Sequence, residues 1–445
     1  MGEWLSNAND ALCLKLVRAA RDEGALTEDE RGVIEEFHPT FTYPIFGDKE
    51  TIYGYADLKI SLFFASGSLS MFLNLFFASG SLSMFLNVTS TAKLPSKTAD
   101  DVEGTLYKFI PPDYSKSAES FQNTVEKEAT TFRPLGEKIH TYVRRAPGHG
   151  KGKSKEANPV SEDDADAIVF EVYHSTWDTP GFREYHRRMQ IFILLYIEGG
   201  SYIQEDEDKW EFTVLYERRR SHSPNDNPDD PPTYTYHFAG YSSLYPFWCW
   251  PDKVRLRLSQ FVILPPYQHA GHGSALYNAI YQFTLGRDDV VELTVEDPSE
   301  AFEDLRDRND MKRLLSISLP LEGMMLVIDP APLPRIHRYS QAFMQEGKAE
   351  KFGPPADKAW VEKWRRDLKM ASRQFHRLIE MLLLRELDAS SKQAQKAYRL
   401  QVKERLFRFN YEILAQLEKE ERLEKLEETF QNVRTDYQRI LATVK

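Results

Sequence analysis

Cysteine is nearly absent: the 445 residues hold two, Cys13 and Cys249. Set so far apart, they cannot found a disulfide scaffold, and they leave no Cys-based zinc site. A basic opening followed by an apolar core is also missing, because Met1 to Asp10 is polar, so no signal peptide is read there. Longer apolar stretches are broken by Ser, Gly or charge, which leaves no candidate membrane span. Positive charge is in deficit as well. Against 68 acidic side chains stand 57 Lys and Arg, a formal net charge of −11. That balance argues against nucleic acid as a direct partner and suits a basic protein or peptide, although simple solubility accounts for it equally. The absences together point to a soluble chain in a reducing compartment. What is present, 41% hydrophobic residues over this length, is enough for two or three packed domains.

Taken in order, Ala11 to Val17 reads as a strand and Glu28 to Glu36 as a helix capped by Thr27. Thr42 to Ile60 reads as strands around a turn at Gly47-Asp48-Lys49-Glu50. Residues 62–74 are then repeated letter for letter as 75–87. Solenoid repeats diverge and are longer, so no repeat architecture follows. Thirteen is odd, so a second copy would reverse strand parity downstream. Two identical apolar strands cannot fill one core slot, so one copy is expected in the native strand and the other extruded or added at an edge. Phe121 to Thr131 reads as helix. Arg145 to Asp166 reads as a disordered surface insertion. Its basic side, Arg144, Arg145, Lys151, Lys153 and Lys155, reads as solvated, with a nuclear-import signal as the alternative. Ile168 to Tyr173 reads as a strand, and Gly181 to Glu198 as a helix whose apolar run IFILLYI demands burial. Strands follow at Trp210 to Tyr216 and Thr233 to Phe238, around a polar loop, Ser221 to Pro232. Val290 to Val295 is a further strand, and Pro298 and Ser299 open an amphipathic helix to about Leu315. From Lys358 the pattern is helical. There Leu423, Leu426, Phe430, Val433, Tyr437 and Ile440 keep a spacing expected to pack on the chain's own body.

The most informative stretch is RLRLSQFVILPPYQHAGHGSALYNAIYQF, residues 255–283. A strand ends in apolar Phe261, Val262, Ile263 and Leu264, and Pro265-Pro266 stops it. A tight segment, Gln268 to Gly273, follows, and then a helix from Ser274 to Phe283. Strand, glycine-containing loop and helix N-terminus present unpaired N–H groups to an anion. Gly271 and Gly273 let a pyrophosphate approach the main chain.

Gln-x-x-Gly-x-Gly between strand and helix resembles the acetyl-CoA loop of the GNAT acetyltransferases. FHPTFTYPIFGDKETIYGYADLKI, ADDVEGTLYKFIPP, GFREYHRRMQIFILLYIEGGSYI, WCWPDKVRLRLSQ and ELTVEDPSEAF resemble one family within that class, the catalytic subunit of type B histone acetyltransferase. The similarity runs with interruptions from Asn9 to about Arg313 and returns weakly near the C-terminus. It implies an α/β (α+β) chain with a GNAT fold. Residues 1–133 would form an N-terminal mixed α/β domain, 134–310 the acetyl-CoA-binding catalytic domain and 311–445 a helical C-terminal region.

Acyl transfer to lysine needs a held donor, a deprotonated amine and their alignment. Gln268, His269, Ala270, Gly271, His272, Gly273 and Ser274 are expected to bind acetyl-CoA. The resemblance pairs the strand Phe261, Val262, Ile263 with its pantetheine arm, though plain sheet core explains these residues too. Glu296 and Asp297, just past an apolar strand, are candidates for the base, and a polar strand end before Pro298 is the plain alternative. The resemblance makes Glu296 the base, Asp297 its support and Glu198 a substrate-side carboxylate. It places Asp48, Lys49, Glu50, Trp210, Tyr245, Pro246 and Phe247 at positions that contact the histone H4 tail. Lys49 departs from a usually more acidic turn, and Pro246 interrupts backbone contacts. The implied partners are histone H4, carried with H3, and a WD40-repeat histone-binding subunit, with the chain cytoplasmic and nuclear; no metal is called for. The alternatives are a GNAT enzyme for another protein or a small amine, or a non-catalytic histone-binding scaffold.

Overall fold

The computed structural model of the chain describes residues 4–24, 26–34, 36–74, 87–90, 92–95, 98–115, 117–146, 161–162, 164, 167–221, 233–315, 342–347 and 353–444. Most of the basic insertion, the loop 222–232 and residues 75–86 of the second repeat copy lie outside them. The described chain divides into two compact units. One runs to Pro246 and adds Leu258–Ala279; the other holds Phe247–Arg257 and continues from Ile280.

In the first unit, β1 (Leu12–Val17) lies parallel to β2 (Lys59–Ala65), which pairs antiparallel with β3 (Met71–Asn74) and β4 (Asn87–Thr89). The register explains the repeat. Ser61 faces Asn74, the next residue of β2, Ile60, faces Val88, and Lys59 faces Thr89. The ladder thus skips thirteen residues, one repeat length, and resumes in phase. One copy fills the native position as expected. The expected parity reversal does not occur, because the ladder steps over the added length. The first copy is also more than a strand: it supplies the end of β2, a turn and β3. Gly67 sits in that turn because a Cβ there would stand 2.6 Å from the Tyr236 carbonyl oxygen. Helix α1 (Ala118–Thr131) covers this sheet, stacking Phe121 on Phe72 at 5.3 Å between ring centroids. Burying a side chain of that size stabilises by about 1.5–3 kcal/mol.

A second sheet comprises β5 (Glu137–Arg145), β6 (Ala167–Thr176), β7 (Glu211–Arg220), β8 (Tyr234–Cys249), β9 (Lys253–Ile263) and β10 (Val290–Val295), in the order β10-β9-β8-β7-β6-β5. The sequence splits β8 at Phe238, whereas it runs for 16 residues with a bulge at Ala239. Gly240 makes that possible, since a Cβ there would lie 2.4 Å from the Val262 carbonyl oxygen. The helix read over Gly181 to Glu198 is two, α2 (Phe182–Met189) and α3 (Ile191–Tyr196). Ile191 to Leu195 are buried as expected. Tyr43 to Phe46, read within strands, is a helical turn opened by Pro44. The Thr27 cap is a full capping box: Thr27 Oγ1 accepts from Glu30 N at 3.3 Å, and the Glu30 carboxylate accepts from Thr27 N at 2.8 Å.

Helix α4 (His272–Gly286) begins two residues before the expected Ser274 and ends three after Phe283. In the second unit its later half carries Tyr281, whose ring lies 3.6 Å from the Arg313 guanidinium of α5 (Glu300–Leu315). Strand β10 does not end the pairing, because Leu293 bridges Met370 and its N–H donates to Lys369 O at 2.8 Å. Beyond α6 (Lys358–Asp367), α7 (Ser372–Glu386), α8 (Lys392–Phe409) and α9 (Lys419–Thr443) share a buried cluster. Arg405 grips Glu380 at 2.7 and 2.8 Å, and the Tyr437 hydroxyl donates to the same carboxylate at 2.8 Å. Phe430, Tyr437 and Ile440 pack inward as expected, while Leu423 stays exposed.

Candidate active site

The glycine bend is built between two buried anchors in the first unit. Before it, Pro265–Tyr267 forms one 3-10 turn. The Tyr267 hydroxyl donates to Glu217 at 2.7 Å, and Arg18 reaches Glu217 at 2.8 Å and the Tyr267 oxygen at 3.2 Å. Burial alone would raise the Glu217 pKa, but Arg18, Arg219 and His237 hold it well below the usual carboxylate range. After the bend, His272 is buried, with its ring centroid 4.2 Å from that of Phe170 and its Nδ1 in a 2.7 Å hydrogen bond with the Tyr142 hydroxyl. Burial, then the nearby Arg144 charge, pushes the His272 pKa down to about 4, so the ring is neutral at pH 7. Its side chain is therefore an anchor, and only its backbone N–H remains for a ligand.

Between the anchors, Gln268, His269, Ala270 and Gly271 are exposed. His269 has φ 60° and Gly271 φ 82°, and Gln268 Nε2 donates to Ile263 O at 2.8 Å. Left-handed residues in a short turn gather N–H groups into an anion-binding concavity. The first helical bond runs from Ala275 N to Gly271 O, so the His272 and Gly273 N–H groups have no partner within α4. Val262 and Ile263 are buried and Phe261 is half-buried.

In the second unit, β9 and β10 run parallel: Glu292 meets Arg255 at 2.9 Å, Thr294 donates to Leu256 O at 3.4 Å, and Glu296 meets Arg257 at 3.7 Å. Glu296 is exposed just past β10, and Asp297 adopts φ 30°. The charge of Arg257 therefore lies beside Glu296. The Arg257 guanidinium also lies 4.2 Å over the Phe247 ring. A candidate base and a candidate substrate aromatic are thus joined by a residue not singled out from the sequence. Alternation along β9 was the available signal, because it puts Arg255 and Arg257 on one face.

The remaining substrate candidates fall into two groups in the first unit. Trp210 meets Tyr245 edge-on at 4.9 Å and donates to Glu207 at 3.0 Å. Pro246 falls after the β7–β8 ladder has ended at Leu244, where its missing N–H costs no bond on that side. Asp48 and Lys49 are exposed at the turn. Glu50 is not free for a substrate: it accepts from Thr42 N at 2.6 Å, Tyr43 N at 3.1 Å and Asn9 Nδ2 at 2.9 Å. The bond from Thr42 leads the causes that hold its carboxyl below the ordinary range. Glu198 lies outside the helix and is exposed, and the following Gly199 N–H donates to the Tyr43 hydroxyl at 2.5 Å. Tyr43 thereby ties the Glu198 turn to the segment leading into Asp48.

Acetyl-CoA fits the bend on two observations. Gly271 leaves a space a Cβ would fill, 3.2 Å from Arg144 Nη2, and Arg144 Nε is buried without a hydrogen-bond partner. Among the described residues no group of His, Cys, Asp or Glu is placed to hold a metal, and no helix is long and apolar enough to cross a membrane.

A parallel β9-loop-α4-β10 unit with a glycine bend at the helix N-terminus, on a mixed sheet followed by a helical region, defines a mixed α/β protein of the architecture expected for an acetyltransferase. Comparison with known proteins narrows the class. The model described as Histone acetyl transferase HAT1 N-terminus matches residues 4–75 and 71–198, breaking where the repeat lies, and Fungal HAT1, C-terminal, matches 340–388. A protein from Cryptococcus neoformans var. neoformans serotype D, named histone acetyltransferase type B catalytic subunit, is 51% identical over 99% of this chain and 97% of its own length. Proteins of the same name from Mycosarcoma maydis and Rattus norvegicus are 46% and 30% identical, covering 98% and 99% of this chain and 87% and 94% of theirs. The chain belongs to the type B histone acetyltransferase catalytic subunit family. It is an enzyme of histone acetylation, and acetyl-CoA use follows from that class.

Proposed function

We propose that the chain acetylates lysines in the N-terminal tail of newly made, free histone H4. Its full-length similarity to the Cryptococcus protein carries this reading. Exposed Asp48 and Glu198, and a formal net charge of −11, suit a basic tail. In this reading Gln268 to Ser274 hold acetyl-CoA, His269 to Gly273 through backbone N–H groups, and the edge at Phe261 to Ile263 aligns its amide arm. The thioester supplies an activated acetyl group. A free lysine has a pKa of about 10.4, so its ammonium must lose a proton before the amine attacks. Glu296 takes that proton, Asp297 supports it, and Arg257 fixes the Glu296 carboxylate against Phe247. The amine attacks directly, so no enzyme nucleophile is used. Trp210, Tyr245, Pro246 and Phe247 bracket the lysine stem.

The H4 would arrive with H3, a WD40-repeat histone-binding subunit would raise affinity for the tail, and the enzyme would work in cytoplasm and nucleus. The test is an acetylation assay on the purified chain with H4 tail peptide, an unrelated lysine peptide and polyamines. The H4 peptide should give the highest kcat/KM. Equal or better turnover of polyamines would overturn the assignment.

A further inference from the structure

Arg144 was read from the sequence as part of a solvated basic loop, but the structure puts it inside β5. It follows His140 and Tyr142 at alternate positions, so the three share a face. His140 and Tyr142 are buried, and Arg144, next along, reaches the glycine bend. Its guanidinium lies 5.1 Å from the Tyr142 ring centroid, and the space left by the missing Gly271 Cβ separates Nη2 from the bend's main chain.

Other arginines of this sheet have acids: Arg218 has Glu162 and Glu171, Arg219 has Glu30 and Glu217, and Arg145 has Asp164 at 4.0 Å. Arg144 has no carboxylate partner among the described residues, and its Nε is buried without a hydrogen bond. A buried donor left unmade is destabilising, and a planar guanidinium matches phosphate oxygens two at a time.

We propose that Arg144 is a phosphate ligand of the cofactor site, binding the pyrophosphate of coenzyme A at the Gly271 bend. This rests on the acetyl-CoA reading of the bend and assigns that reading a side chain. Titration calorimetry of the full chain tests it with two probes, coenzyme A and dephospho-coenzyme A, which lacks only the 3′-phosphate. Arg144→Met keeps the stem over Tyr142 and should weaken both probes by the same factor, about tenfold for one lost charge-assisted contact. Arg144→Lys should recover part of the loss, and Arg145→Met should change neither. Wild-type affinity in Arg144→Met would overturn the proposal, as would a loss confined to coenzyme A, which would move Arg144 to the 3′-phosphate. A loss that Arg144→Lys leaves untouched would mark a packing defect and overturn it too. If the wild-type chain binds neither probe, the acetyl-CoA reading itself fails, an outcome separate from all of these.

Discussion

The glycine bend and the acid beyond β10 are held in opposite ways. Buried groups clamp the bend at both ends: Tyr267 on Glu217 and Arg18, and His272 on Tyr142 and Phe170. Glu296 is exposed and has a partly exposed guanidinium at 3.7 Å. In the proposed function the difference follows from what each would do. A backbone that recognises an anion works only if its N–H directions are fixed before the ligand arrives, so its anchors sit deep in the fold. A group that accepts a proton in every cycle must release it to water, so it stays wet.

That contrast predicts where damage appears as instability and where as lost function. The largest stability effect should come from Glu217→Gln, which leaves Arg18 buried without its counter-charge, at a cost of about 3–5 kcal/mol. Thermal melting measures it. The pH dependence has a definite sign. The folded-state pKa of Glu217 lies well below its ordinary value of 4.5, so its contribution is full above that value and is lost as pH falls toward the folded pKa. The variant should therefore lose stability less steeply in acid. Gly271→Ala forces a side chain into φ 82° and against Arg144. Coenzyme A affinity should fall about tenfold by calorimetry, while stability falls by about 1–2 kcal/mol, less than in Glu217→Gln. The smallest effect belongs to Arg257→Met, which removes the cation over Phe247. A surface contact of this kind contributes about 0.5–1 kcal/mol, so the KM for peptide should rise about two- to fivefold while that for acetyl-CoA holds. A large fall in stability for Arg257→Met, or none for Glu217→Gln, would erase the contrast.

The bend was legible because its signals are local: apolar strand, Pro-Pro, two glycines, then a helical spacing. The Thr27 cap and the buried IFILLYI run were legible for the same reason. The anchors were not, since Arg18 and Glu217 lie 199 residues apart and meet only through the fold. Glu50 looked available for a substrate because sequence shows a charge and not the three donors that occupy it. The β8 strand was read only to Phe238, because the close approach of the Val262 carbonyl that Gly240 admits is made by a distant strand. The repeat was visible letter by letter, but the register that skips one copy belongs to the β2 ladder.

The central claim, that binding and proton removal rest on different groups, is tested most directly by Glu296→Gln, measured for both properties in one preparation. Its dissociation constant for coenzyme A should stay within about twofold of wild type, because the bend is untouched. Turnover near neutral pH should fall by about 10²–10⁴ and recover as the pH approaches the ordinary lysine value of about 10.4. Wild-type turnover at neutral pH in that variant would contradict the account.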